Sequence, residues 1–225
     1  MLNLPYQDKP TPWSSHSRIL TIVEAIPESG KVLDVGTASG MLARRSENRS
    51  LRFFGIEAVQ EWANMALPFY EKLWVCTFED APEEALHGYD AIVLGDVLEH
   101  MAKPELALKR LADLQPAGCK FIISVPNIAN IWVRFNLLMG RFDYAERGIL
   151  DKTHLRFFTR KTVKKLVNEA GLEILSIQVT PIPLELVSSF FTSTIGKLFH
   201  AAFAQVTSLF PTLLGYQFIV EAKKS

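Results

Sequence analysis

Residues 32–40 read V-L-D-V-G-T-A-S-G, an apolar strand running into a glycine-bearing turn, and Glu57 closes the next short strand. Residues of these types at this spacing suit a nucleoside site. Gly36 lets the chain turn sharply behind the strand, and Gly40 lets a helix start approach a ligand closely. Between them the backbone N–H groups of Thr37 and Ala38 can bond polar ligand atoms. Asp34, just before the turn, can order it through its side-chain oxygens, and Glu57 is placed to accept two hydroxyl hydrogen bonds from a ribose. Two neighbouring chemistries fit poorly. No Gly-Lys-Ser/Thr follows the turn, as an ATP phosphate loop requires, and Ala38 stands where a dinucleotide turn carries its second glycine. Ordinary tight-turn glycines with no ligand are the plain alternative.

The elements that must hold these residues follow from hydrophobic periodicity. Ile19, Leu20, Ile22, Val23 and Ile26 recur at helical spacing behind a cap at Ser14 or Ser15, ahead of a strand at 31–35. A helix then begins at 41–47, and 51–56 forms the next strand, giving a β-α-β unit. Val59, Trp62, Ala63, Ala66 and Phe69 mark a helix face, 74–78 a short strand and 89–94 an apolar strand. Pro104 opens a helix carrying Leu106, Leu111 and Leu114, which ends before the strand at 120–125. Strand and helix alternate, so the fold class is α/β, doubly wound, with a mostly parallel sheet covered on both faces. Residues 127–158 mix aromatics, arginines and glycines without a period. Thr159 caps a helix presenting Val163, Leu166, Val167 and Ala170, and Gly171 stops it. Residues 172–179 read as a sixth strand, and 215–222 supply a last strand at or beside the sheet edge.

At 225 residues the chain fits one domain, 1–225, with accessory segments. Lys plus Arg equals Asp plus Glu at 24 each and no dense basic stripe stands out, which argues against nucleic acid as a partner. Cys76 and Cys119 are isolated in apolar contexts without metal-ligand spacing and read as buried free thiols, in keeping with a reducing, cytoplasmic location. Pro5, Asp8, Pro10 and Pro12 with no apolar run make the N-terminus neither signal peptide nor anchor.

The turn at 34–40, Glu57, D-V-L-E-H at 96–100, the L-Q-P-A-G approach at 114–118 to a strand ending S-V-P-N at 124–127, and the final antiparallel pattern together resemble class I S-adenosylmethionine-dependent methyltransferases. Within them the chain is similar to the branch holding ubiquinone-biosynthesis O-methyltransferases and enzymes encoded beside polysaccharide genes, the segment G-I-L-D-K-T-H-L-R-F-F-T at 148–159 resembling the latter. The resemblance implies a Rossmann-like seven-stranded sheet in order 3-2-1-4-5-7-6 with strand 7 antiparallel. S-adenosylmethionine is the implied cofactor and S-adenosylhomocysteine the product. It places Asp34, Gly36, Thr37, Ala38 and Gly40 under the methionine part of the cofactor and Glu57 on the ribose. Asp80, with Glu79 as competitor, would hold the adenine amino group, and Asp96 would lie near the ammonium end. Ala38 departs from the commoner glycine, so its methyl group must point away from the ligand or weaken binding.

Methyl transfer needs an acceptor lone pair aligned behind the sulfonium methyl and often a base. His154 is the first candidate base, on the carboxyl side of the sheet, with a structural role in the loop 151–156 as its alternative. His100 is the second, or else packs the pocket wall. Asn127 can hold an acceptor hydroxyl or close its turn. Arg134, Arg141, Arg147 and Arg156 interleave with Trp132, Phe135, Phe142, Tyr144 and Phe157, so 127–158 reads as a lid for an anionic or sugar-containing acceptor or as a solvated loop packed by its own aromatics. No compact ligand pattern implies a metal.

Residues 181–214 form an apolar helical insertion before the last strand, with Leu186, Val187, Phe190, Phe191, Ile195 and Leu198 among its apolar positions. The stretch 198–220 is 23 positions without a formal charge, long enough for a membrane span, but Pro211, Gly215, the polar residues among them and the expected closing strand argue against one. One broken helix or two would cover the acceptor pocket, pack against a second copy or rest on a membrane surface. The reading is an O-methyltransferase of a small-molecule or saccharide-like acceptor. Carboxyl or nitrogen methylation is one alternative, and a non-catalytic cofactor-binding scaffold is the other.

Overall fold

The computed structural model describes residues 11–186 and 188–225; Pro5, Asp8, Pro10 and Val187 lie outside the described residues. Its sheet has seven strands: β1 (Lys31–Val35), β2 (Arg52–Glu57), β3 (Lys72–Val75), β4 (Ala91–Gly95), β5 (Lys120–Pro126), β6 (Leu172–Thr180) and β7 (Gln217–Lys224). They lie in the order β3-β2-β1-β4-β5-β7-β6. β1 to β5 pair in parallel, with Val32 opposite both Phe53 and Ala91, while β7 runs antiparallel between β5 and β6. The last strand therefore lies beside the edge, and β6 forms it.

Alternation along the central strands divides the core. Leu33, Val35, Phe121 and Ile123 point to one face, and Val32, Val93, Ile122 and Ile219 to the other. The second face is covered by α1 (Ser15–Glu24), capped by the Ser14 hydroxyl, through Ile19, Ile22 and Val23. The first face takes α4 (Pro104–Asp113) through Leu108 and Leu111, and α6 (Arg160–Glu169), which starts in a Thr159–Thr162 capping box, through Val163, Leu166 and Val167. Numbered in chain order, the short helices α2 (Met41–Arg45) and α3 (Gln60–Ala66) complete the first half.

Three expectations need correction. Leu106 faces solvent, because the buried stripe of α4 is Ala107, Leu108, Leu111 and Ala112. The third strand ends at Val75, since β2 offers no partner beyond Glu57, and Phe78 reaches the core from a turn. The aperiodic segment after β5 contains a helix, α5 (Ile131–Leu138), whose start is fixed by the Asn130 side chain accepting from the Trp132 N–H at 3.0 Å. Residues 181–214 hold α7 (Thr194–Leu209) and α8 (Pro211–Leu214), with two short 3-10 turns before them. Among the described residues no helix is long and apolar enough to cross a membrane.

Candidate functional site

The carboxyl ends of the parallel strands open on one edge of the sheet, and the loop after β1 crosses it. Gly36 and Gly40 both have φ +76°, the left-handed region that favours glycine. A Cβ on Gly40 would sit 2.8 Å from the Ala66 Cα, so the loop can lie this close to α3 only without a side chain. The Gly36 N–H donates to the Ile56 carbonyl at 2.8 Å. Glu57, 5 % exposed, accepts from the Ala38 N–H at 2.7 Å and from the Val59 N–H at 2.9 Å. Burial pushes its carboxyl above the ordinary value, and these backbone bonds pull it back. The acid at the end of β2 thus holds the candidate cofactor loop in register with β2.

Ala38 is itself left-handed, at φ +46°. That conformation costs an alanine about 1–2 kcal/mol, part of which glycine returns as unfolded-chain entropy. Ala38→Gly is therefore expected to raise stability by about 0.5–1 kcal/mol without weakening cofactor binding, as read by denaturant titration and calorimetry. A destabilised variant would mean that the Ala38 methyl makes a packing contact outweighing its strain.

Beneath the loop, the Tyr70 hydroxyl donates to Asp34 Oδ2 at 2.6 Å, both groups being buried. Burial pushes the Asp34 carboxyl up to about 6, opposed by the Tyr70 hydrogen bond and reinforced by the charge of Glu57. A carboxyl raised on folding contributes stability that is complete below its unfolded value and is lost as pH rises through the folded one. Here the window runs from about pH 4 to about pH 6, and the loss is about 3 kcal/mol. Asp34→Asn keeps an acceptor for Tyr70 and cannot ionise. Its denaturation midpoint is expected to exceed that of the wild type at pH 7 and to converge on it near pH 4; an offset that did not change with pH would refute the account.

Asp96, just past β4, is held at φ +56°. Gln217 Nε2, on β7, donates to both its oxygens at 2.8 and 2.7 Å, and Ser124 Oγ, on β5, donates to Oδ1 at 2.7 Å. Asp80 and Glu79 are exposed on the loop after β3, with Asp80 Oδ2 accepting from Thr77 Oγ1 at 2.8 Å.

A short 3-10 turn, Leu98–His100, follows Asp96. The Glu99 carbonyl accepts from the N–H groups of Leu155 and Arg156 at 2.8 and 3.0 Å, which docks the loop 151–156 and sets the His154 ring 4.9 Å from that of His100. His154, 9 % exposed, has Nδ1 3.1 Å from the Ile149 carbonyl. A carbonyl only accepts, so Nδ1 carries the proton of the neutral ring and Nε2 keeps its lone pair. Burial, then the neighbouring His100, holds His154 below the ordinary histidine value, which favours that neutral form. Glu99 is 1 % exposed and neither carboxylate oxygen has a hydrogen-bond partner. Burial first, and the charge of Asp96 second, push its carboxyl well above the ordinary range. Glu99, His100 and His154 each bring one potential ligand atom within 4.8 Å of the others. Compactness that is absent from the linear sequence is created by docking a loop more than fifty residues away.

The candidate acceptor residues are placed differently. Asn127 is fully buried, donates to the carbonyls of Thr212 and Gly215 at 3.0 and 2.8 Å, and accepts from the Ala129 N–H at 3.0 Å. Its amide ties the end of β5 to the chain entering β7. Arg156 donates to the Ala102 carbonyl and Arg134 to the Ala129 carbonyl at 2.6 Å. Tyr144 is exposed against Phe142, 5.7 Å between ring centroids. Cys119 is buried as expected, with its thiol pushed up to about 12 by burial, whereas Cys76 is half-buried rather than buried, its thiol also raised by burial. Tyr70, Ser124, Gln217 and Glu99 are the site-lining residues not singled out from the sequence. Glu99 and Ser124 stand inside motifs quoted above, at 96–100 and 124–127, whereas Tyr70 and Gln217 carry no such signal.

A parallel sheet reversed only at its seventh strand, with a glycine turn after β1 and an acid ending β2, defines a class I S-adenosylmethionine-dependent methyltransferase. The chain belongs to that class: residues 13–177 match the family described as a methyltransferase domain, with S-adenosylmethionine as cofactor and S-adenosylhomocysteine as product. Among characterised proteins it is similar to the mitochondrial ubiquinone biosynthesis O-methyltransferase of Mus musculus, 30% identical over 166 residues, covering 66% of this chain and 43% of the relative. The Homo sapiens protein of the same name is 26% identical over 160 residues, covering 65% and 42%. The chain thus spans less than half the length of these relatives. Among solved structures, a SAM-dependent methyltransferase from Archaeoglobus fulgidus superposes with a TM-score of 0.63 at 14% identity, over 93% of this chain and 92% of the other. Magnesium protoporphyrin IX methyltransferase from Synechocystis, solved with bound SAH, gives 0.59 at 15% identity, over 98% and 91%; these two likenesses concern the fold.

Proposed function

We propose that the chain moves the sulfonium methyl of S-adenosylmethionine to a hydroxyl oxygen of a small-molecule or saccharide-like acceptor, with His154 as the base. The C–S bond breaks as the C–O bond forms, the hydroxyl proton passes to His154 Nε2, and S-adenosylhomocysteine leaves. Asp34, Gly36, Thr37, Ala38, Gly40 and Glu57 form the cofactor cradle, with Asp96 at its methionine end and Asp80 or Glu79 at the adenine. The observation that carries the reading is the orientation of His154: an Nδ1 bond to a carbonyl in a buried site leaves Nε2 as a proton acceptor on the strand edge that carries Glu57 and Asp96. The name of the curated relatives supports oxygen as the methylated atom. The test is a panel of hydroxylated acceptors incubated with labelled S-adenosylmethionine. Label retained in an alkali-stable product supports an ether, whereas label released by mild alkali would identify a carboxyl ester and remove the need for a base.

A second reading is favoured by Glu99, whose buried oxygens lack partners. Glu99, His100 and His154 offer an oxygen and two imidazole nitrogens, a donor set that suits a divalent cation such as zinc or manganese. A bound cation would act as a Lewis acid on an acceptor oxygen, and His154 would then be a ligand. Manganese or zinc at about a hundredfold excess over its Kd is expected to stabilise the wild type by about 2.7 kcal/mol, roughly 5–10 °C in midpoint, and to leave Glu99→Gln unmoved. An equal shift in both proteins would rule the cluster out.

A further inference from the structure

α7 turns small and polar residues inward and its large apolar ones outward. The buried stripe is Gly196, His200, Ala204 and Thr207. The outward stripe is Ile195, Leu198, Ala202, Val206 and Leu209, with Leu198 68 % and Leu209 75 % exposed. The helix cannot roll to bury it. His200 is held inside with Nε2 3.1 Å from the Ile182 carbonyl and Nδ1 3.4 Å from Glu185 Oε2, and a Cβ on Gly196 would collide with the Phe190 carbonyl oxygen. These inward contacts also fix a wall near the candidate site, since His200 lines a cavity with Tyr216 and Gln217, and Gln217 holds Asp96. Covering the outward stripe therefore takes another molecule.

The outward stripe is complementary to its own reverse. Leu198, Ala202 and Val206 form one ridge at i, i+4 spacing with its smallest member at the centre, flanked by the ridges Ile195–Phe199 and Gln205–Leu209. Reversal about Ala202 sets Leu198 opposite Val206 and Ile195 opposite Leu209, apolar on apolar, and Phe199 opposite Gln205. Ridges of this kind interdigitate between helices crossing at about −50°, and a small residue at the crossing lets the backbones come close. Charge selects the antiparallel sense. Lys197 is the only Lys or Arg of α7, and in an antiparallel pair each ammonium lies beside the last turn of the other helix, whose carbonyl end attracts a cation. The two lysines are then about 15 Å apart along the axis, whereas parallel helices would set them side by side.

We infer that the outward face of α7 joins two copies of the chain as a two-fold, antiparallel helix pair centred on Ala202. The mirror relation of the stripe is what a two-fold contact requires and a contact with an unrelated protein does not. The exposed parts of these side chains come to roughly 500 Å² per copy, so the pair buries about 1,000 Å², the size at which a specific interface begins. A lipid surface is the poorer fit, because Lys197 is also the only Lys or Arg from 188 to 214, and anionic headgroups attract clusters of them. The inference is independent of which acceptor is methylated.

The test is sedimentation velocity on the whole chain, which is expected to show a monomer–dimer equilibrium between about 1 and about 100 µM, the affinity of an interface at this lower size. Leu198→Glu should weaken the dimer at least about a hundredfold, because a two-fold contact loses the side chain twice, while S-adenosylmethionine binding and the denaturation midpoint stay as in wild type. Crosslinking reads the register. Under mild oxidation Ala202→Cys should join with itself into a covalent dimer, whereas Ile195→Cys should do so only when mixed with Leu209→Cys. A disulfide needs Cα atoms within about 7 Å, and the two copies of residue 195 lie about 20 Å apart along the axis. Wild type, with Cys76 and Cys119, gives the background. A wild type that stays monomeric to about 100 µM, or a dimer that Leu198→Glu leaves intact, would overturn the inference. Self-crosslinking of Ile195→Cys would overturn the antiparallel pairing, and a monomer that floats with vesicles of phosphatidylcholine and phosphatidylglycerol would overturn the inference in favour of lipid.

Discussion

Glu57→Ala is expected to remove measurable S-adenosylmethionine binding, a loss of at least about a hundredfold in affinity by calorimetry. Two effects combine. The carboxylate accepts from the Ala38 and Val59 N–H groups, and alanine would leave two donors without partners at the crossing of the candidate loop. Charge-assisted bonds of this kind contribute about 1.5–3 kcal/mol each, and those the acid would make to the ribose hydroxyls are lost as well. Either contribution alone corresponds to about tenfold or more, since 1.4 kcal/mol is a factor of ten. Glu57→Gln separates them. It keeps an acceptor for one backbone donor and loses the charge, so its affinity should fall between wild type and alanine. Equal affinity of wild type and Glu57→Ala would mean that the acid ending β2 does not touch the cofactor and that the loop holds its shape without it.

How much of this was legible along the chain depended on the distance over which each interaction is made. The Asp34 to Gly40 turn and Glu57 are local: a strand must end, a tight turn needs left-handed residues, and the next strand must end level with the first. Sequence therefore located them. Ala38 was legible as a departure from glycine, and the structure adds its reason for mattering, a positive φ. The partners of these residues were not legible. Tyr70 reaches Asp34 across 36 positions and Gln217 reaches Asp96 across 121, and neither separation leaves a periodic trace. Nor was the burial of Glu99 legible, because an acid between Leu98 and His100 reads as a surface residue until a distant loop is known to close over it. Leu106 shows the opposite error, an apolar residue assigned to the buried face of α4 that its phase turns to solvent. In α7 the apolar spacing signalled a helix, whereas its inward stripe, with buried His200 and the close approach of Gly196 to the Phe190 carbonyl, was not legible.

His154→Ala is expected to bind S-adenosylmethionine like wild type while losing about 10²–10⁴-fold in turnover, the usual contribution of a positioned general base. Alanine, however, also removes the bond to the Ile149 carbonyl, and a loosened loop at 151–156 would lower turnover for structural reasons. Asparagine separates the two roles, because its amide nitrogen can take the place of Nδ1 and donate to Ile149, whereas nothing in it reaches the position of Nε2. Turnover in His154→Asn should therefore stay as low as in alanine, with the stability of the loop restored. Recovery of turnover in His154→Asn would assign the imidazole a positioning role and direct the search for a base to His100. If a cation rather than a free imidazole activates the acceptor, Glu99→Gln must lower turnover alongside His154→Asn, since both would be ligands of the same ion. A base acting alone predicts that Glu99→Gln retains most of its activity, because Glu99 would then contribute only a buried side chain to the wall of the site, which glutamine matches in size.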